Sequence, residues 1–75
     1  MGRVRGGDPR VKRTKALIRQ AFIELLKVKD FEDITVQDIV HRTELNRSTF
    51  YNHYRDKYEL LDVTMAELFA EMLSA

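Results

Sequence analysis

The chain has 75 residues, enough for one small domain, and balances 13 Lys and Arg against 12 Asp and Glu for a formal charge of +1. It contains no Cys, which excludes disulfide staples and thiolate metal sites and fits a reducing cytoplasm. No apolar run approaches the ~20 residues of a membrane span, and the charged, Gly-rich start is not signal-like, so no membrane partner is expected.

The near-neutral total hides an asymmetry. Residues 1–19 carry Arg3, Arg5, Arg10, Lys12, Arg13, Lys15 and Arg19 against Asp8 alone. Residues 58–75 carry Glu59, Asp62, Glu67 and Glu71 and no Lys or Arg. Such a distribution suits a chain whose one end meets a polyanion while the other faces solvent or protein. Residues 1–8, with Gly2, Gly6 and Gly7, read as a disordered basic leader.

Asp8-Pro9 then predicts a helix start, with Asp8 as cap and Pro9 at the first helical position. Leu17, Ile18, Ala21, Phe22, Leu25 and Leu26 form a continuous apolar stripe, so this helix should run to about Val28. Asp30 to Asp33 connect it to the next element, with Phe31 and Ile34 plugging the base of the core.

Thr35 opens a second helix as N-cap, with Asp38 three residues on and Ile34 able to staple onto Ile39. This helix runs to about Arg42 and buries Val36, Ile39 and Val40. Thr35 and Gln37 lie at its N-terminus, where free N–H groups and the helix dipole favour phosphate or a base edge. Plain solvent exposure explains Gln37 equally well. His41 follows Asp38 at a metal-compatible spacing, but two ligands without a third make no metal site.

Leu45-Asn46 opens a third helix, with Asn46 as cap and Leu45 set to staple onto Phe50. Two short capped helices joined by a tight turn are the helix-turn-helix pattern. Phe50 and Tyr54 lie four apart on the inward face, while Ser48 and Asn52 point the opposite way. Arg47 sits in the first turn, with Thr49 and Tyr51 on the flanks. Arg, Ser, Thr, Tyr and Asn together offer donors and acceptors to base edges and phosphates, with no carboxylate to repel a polyanion. An ordinary solvated helix is the bland alternative.

Asp56 caps a fourth helix, and Asp56-x-x-Glu59 reads as a capping box. Lys57 stands in its first turn, where the dipole disfavours a cation, which suggests another use for the ammonium. Leu61, Met65, Leu68, Phe69 and Met72 form a second stripe that outlasts a three-helix core and so presents a surface for a partner.

Thr35-Val36-x-Asp38-Ile39, then Leu45-Asn46-x-Ser48-Thr49-Phe50-Tyr51-x-His53-Tyr54 and Asp56-Lys57-x-x-Leu60-Leu61, resemble the DNA-binding domain of the TetR family of bacterial transcriptional regulators. The resemblance runs from about Thr14 to Leu61. It implies an all-α, three-helix helix-turn-helix head over residues 9–56, whose third helix enters the major groove. Residues 57–75 would then be a fourth, connecting helix leading to a larger domain that binds a small effector and forms a homodimer. Glu44 departs from the pattern, standing where the family usually has Gly.

The resulting expectation is a cytoplasmic bacterial regulator, a repressor released by an effector, that binds double-stranded DNA at a palindromic operator. Arg47, Ser48, Gln37 and Asn52 are the candidates for base edges. Arg13, Thr14, Thr35, Thr49, Tyr51, His53 and Lys57 are the candidates for phosphates. Neither cofactor nor metal is called for, and catalysis is not: there is no Cys nucleophile, no Gly-rich phosphate loop, and His53 near Ser48 lacks an orienting acid. The rival from another class is a helical protein-interaction module whose apolar last helix pairs with a partner.

Overall fold

The structure is a computed structural model and describes residues 9–74. The leader 1–8 and its proposed Asp8 cap lie outside the described residues. Four helices follow in order: α1 Pro9–Leu26, α2 Val36–Thr43, α3 Arg47–His53 and α4 Lys57–Ser74, with a single 3-10 turn, Phe31–Asp33, between the first two. All regular elements among the described residues are helical.

The helices pack because each lends large apolar side chains to one cluster. Ile18, Ala21, Phe22 and Leu25 come from α1, Ile39 and Val40 from α2, Phe50 from α3 and Leu60 from α4, with Ile34 and Tyr54 from the connections. Burial of side chains this size contributes roughly 1.5–3 kcal/mol each, before chain entropy is subtracted. Phe31, Val36, Leu45, Leu61 and Val63 close the rim of the cluster. Phe31 also meets the edges of Phe22 and Tyr58, at centroid distances of 6.1 and 5.3 Å.

The predicted α1 stripe is narrower in fact. Leu17 and Leu26 are 44% and 38% exposed, because the partners occupy one flank of α1 and not both. Helix α1 also ends two residues early, at Leu26, in a turn where the N–H groups of Val28 and Lys29 both donate to the Leu25 carbonyl. In α4 the core face is Leu60 and Thr64, with Leu61 half-buried. The Thr64 hydroxyl is buried there without a hydrogen-bond partner among the described residues, a placement that apolar periodicity cannot reveal.

Each short helix is held at its ends by side chains. Thr35 and Asp38 form a reciprocal box: Asp38 N–H donates to Thr35 Oγ1 and Thr35 N–H to Asp38 Oδ2, both at 3.0 Å. At the other end of α2, the Thr43 hydroxyl donates to the Val40 carbonyl (3.1 Å) and accepts from Leu45 N–H (3.2 Å). Asn46 Oδ1 accepts from Thr49 N–H at 2.8 Å and starts α3. Asp56 starts α4 by accepting from Glu59 N–H at 2.9 Å, but Glu59 reaches back to Arg55 N–H (2.6 Å) instead of closing the predicted box on Asp56.

Between α2 and α3 the chain reverses through Glu44, whose φ of 65° and ψ of 15° place it in the left-handed region. A side chain with a Cβ pays roughly 1–2 kcal/mol there, and glycine does not. Glu44→Gly should therefore raise stability by about 1 kcal/mol, the relief exceeding the extra entropy of an unfolded glycine. Urea denaturation measures this. A midpoint that falls would show that Glu44 makes compensating contacts.

Candidate nucleic-acid interface

Helix α3 is pinned from below and bare above. Phe50 is fully buried and Tyr54 is 5% exposed. Their rings stand 5.7 Å apart, and Tyr51 sets its ring edge against Phe50 at 5.3 Å. With that face fixed, Arg47, Ser48, Tyr51 and Asn52 are exposed, and Thr49 and His53 are half-buried. No carboxylate lies within Arg47–His53.

The expected base-edge candidates fall into one neighbourhood. Arg47, Ser48 and Asn52 lie on α3, and Gln37, also exposed, lies in the first turn of the helix packed against it. Arg47 is absent from the ion pairs of the described residues, which join Arg19 to Glu67 and Glu71, Lys29 to Asp38, Arg42 to Glu24 and Arg55 to Asp56. It therefore does not fold back onto Glu44.

The phosphate candidates divide. Tyr51 and His53 stay accessible beside α3. Thr35 spends its N–H on Asp38 and accepts from Asp38 N–H, but its hydroxyl proton is not among the bonds of the box. The N–H groups of Val36 and Gln37 are the first-turn donors that an α-helix leaves without an internal acceptor. Arg13 is exposed and Thr14 half-buried on α1, and no hydrogen bond or ion pair between described residues joins them to α3. Thr49 gives both its N–H and its hydroxyl proton to Asn46 Oδ1, at 2.8 and 3.0 Å. It has no side-chain donor left for a phosphate.

Lys57 departs furthest from expectation. Its ammonium donates to the carbonyls of Phe31 (2.8 Å), Ile34 (2.8 Å) and Glu32 (3.3 Å) and lies 4.4 Å from the centre of the Phe31 ring. Three N–H donors meet three carbonyls, so the group is committed inside the chain. A cation in the first turn of a helix signals another task for the ammonium, and phosphate is the one the sequence suggests. The dipole cannot indicate that three backbone carbonyls converge on the ammonium from residues 23 to 26 positions earlier.

Around α2 the charges are arranged to hold it in place. Lys29 Nζ bonds Asp38 Oδ2 at 3.1 Å, and Arg42 bonds Glu24 at 3.1 Å, tying the start of α2 to the connection after α1 and its end to α1 itself. The Asp38 carboxyl is held below its ordinary range by the Thr35 N–H and then by Lys29. Asp56 is lowered chiefly by Glu59 N–H, and Glu24 by Gln20 and Arg42. No group of three or more His, Cys, Asp or Glu is placed to hold a metal among the described residues. No described helix is long and apolar enough to cross a membrane.

A reading helix bare on one face, braced by a second capped helix and an αL turn, defines a helix-turn-helix DNA-binding head. Comparison with known proteins identifies the lineage. Residues 18–64 match the family described as bacterial regulatory proteins, tetR family, and the chain belongs to it. It is 39% identical over 67 residues to the uncharacterized HTH-type transcriptional regulator YxbF of Bacillus subtilis (strain 168), covering 88% of this chain and 18% of that protein. It is 33% identical over 61 residues to the HTH-type dhaKLM operon transcriptional activator DhaS of Lactococcus lactis subsp. lactis (strain IL1403), covering 81% of this chain and 33% of that one. The chain thus spans a third or less of these relatives. No solved structure matches it. Membership places this chain among bacterial regulatory proteins, and both relatives are named as HTH-type transcriptional regulators.

The lowered carboxyls fix the sign of the acid response. A group whose folded pKa lies below its unfolded value adds stability above the unfolded pKa and loses it as pH falls through the folded one. Stability should be flat from neutral pH to about 5 and drop below about 4, where unfolded carboxylates begin to take up protons. Urea midpoints measured against pH would show this, and Asp38→Asn should make the drop shallower. A midpoint that rises on acidification would contradict it.

Proposed function

We propose that this chain binds double-stranded DNA sequence-specifically, with α3 in the major groove and the N-terminus of α2 beside it. The observation that carries this reading is the face of α3: Arg47, Ser48 and Asn52 exposed and carboxylate-free above the buried Phe50 and Tyr54. Arg47 reads a base. A guanidinium in the first turn pairs bidentately with guanine O6 and N7, a contact worth roughly 1–3 kcal/mol against a wrong base. Ser48, Asn52 and Gln37 extend the readout. Tyr51, His53, Thr35 and the Arg13–Thr14 turn of α1 position the phosphates. Lys57 and Thr49 are left out of the contact set because their donors are engaged within the chain.

The relative DhaS is an activator by name, so a head of this kind does not set the sign of regulation. Binding, not repression, is the function assigned here. Met65, Phe69, Met72 and Leu73 are 56–72% exposed along α4. They favour a regulator in which further helical structure covers α4, forms the homodimer and takes the effector; a cytoplasmic location goes with that reading and does not follow from this face. Two heads would then meet half-sites about one helical turn apart in a palindromic operator.

Selection from a random duplex library tests the reading. Wild-type chain should enrich one motif, with an affinity that falls by a log–log salt slope of roughly −0.9 per neutralised phosphate. Arg47→Ala should lose preference at one base pair per half-site while non-specific affinity changes little. Unchanged preferences with uniformly weaker binding would make Arg47 a phosphate clamp. Equal, negligible binding to all duplexes at low salt would favour the protein-interaction module.

A further inference from the structure

One peptide group, Ile34–Thr35, is held on both sides. Its carbonyl accepts from Lys57 Nζ at 2.8 Å, and its N–H donates to Asp38 Oδ2 at 3.0 Å. Asp38 is in turn bonded by Lys29 Nζ at 3.1 Å. The chain of contacts therefore runs from the connection after α1, through the first turn of α2, to the first turn of α4. Thr35 is the N-cap that fixes where α2 begins. The angle of that peptide sets how α2, and α3 behind it, leave the core.

The same ammonium gathers the Phe31 and Glu32 carbonyls of the 3-10 turn, and its Nζ lies over the rings of Phe31 and Tyr58, 4.4 and 5.7 Å from their centroids. A compact ammonium can point three N–H groups at three converging carbonyls. A planar guanidinium cannot, although it serves a phosphate as well or better. This difference separates an internal clamp from a DNA contact.

We propose that Lys57 is a positioning residue for DNA recognition: it touches no phosphate, and it acts by locking the Ile34–Thr35 peptide so that α2 and α3 present their exposed faces in one fixed register. The proposal rests on the DNA-binding reading given above and goes beyond it, since the position in the fourth helix would otherwise be counted among the backbone contacts.

The test uses wild type, Lys57→Met and Lys57→Arg, with the duplex recovered by selection and a scrambled duplex of the same composition. Affinities are measured over a range of salt well below the thermal midpoint of each variant. Lys57→Met keeps the apolar stem and removes the ammonium. It should cut the preference for the selected over the scrambled duplex about tenfold, with the salt slope unchanged. Lys57→Arg should lose the preference in the same way. A slope flattened by about one unit in Lys57→Met, with equal loss on both duplexes and full retention in Lys57→Arg, would make Lys57 a phosphate contact and overturn the proposal. So would a lowered midpoint with the preference intact, which marks a purely structural role. If Lys57→Met does not fold, Lys57→Arg decides alone: lost preference at unchanged slope supports the clamp, and retained preference overturns it. A wild type that fails to distinguish the two duplexes removes the DNA reading itself, an outcome recognisable before any variant is compared.

Discussion

The helix-turn-helix depends on one doubly held peptide. Helix α2 has eight residues and α3 has seven, too short to be stable by propensity. Their starting points must be imposed from outside. The Ile34–Thr35 peptide does this for α2, fixed by Lys57 on its carbonyl and Asp38 on its N–H. Asn46 does it for α3. Because the cap residues also set the chain direction into each helix, the bonds that stabilise the motif are those that aim it.

Packing then converts direction into position. Phe50 and Tyr54 occupy the inward face of α3, leaving its polar residues no alternative but outward. Ile39 and Val40 do the same for α2, and the ion pairs Lys29–Asp38 and Arg42–Glu24 pin its two ends to the connection after α1 and to α1. Exposed pairs like these contribute little each, about 0–1 kcal/mol, so their value here is in register and not in bulk stability. On the far side Arg19 joins Glu67 and Glu71 at 3.6 and 3.0 Å and keeps α4 against α1. The acidic end of the sequence is therefore partly spent on holding the fourth helix. It is not simply a solvated face.

Much of this was legible in the sequence, for a physical reason: caps and staples are local. Thr35, Asn46 and Asp56 each accept from an N–H three residues ahead, as short-range chemistry predicts. The inward pair Phe50 and Tyr54 also follows from helical spacing alone. What escapes is non-local, depends on helix phase, or turns on which of several nearby groups a side chain bonds. Lys57 finds its partners more than twenty positions earlier, Glu59 turns to Arg55, and Thr64 takes a core position that no apolar pattern would assign to it. Thr43, whose hydroxyl both donates and accepts at the end of α2, belongs to no motif that sequence pattern singles out. Glu44 was flagged as the residue in the wrong place for its turn, and it does adopt the left-handed conformation at the expense of strain.

On this reading α3 and the start of α2 form the surface that meets DNA, while the apolar end of α4 does not. Backbone amide spectra of isotopically labelled chain, titrated with a selected duplex, test this residue by residue. Shifts should centre on Gln37, Arg47, Ser48, Tyr51 and Asn52, with Leu68 to Leu73 unmoved. Shifts confined to α4, or none anywhere at saturating duplex, would contradict it.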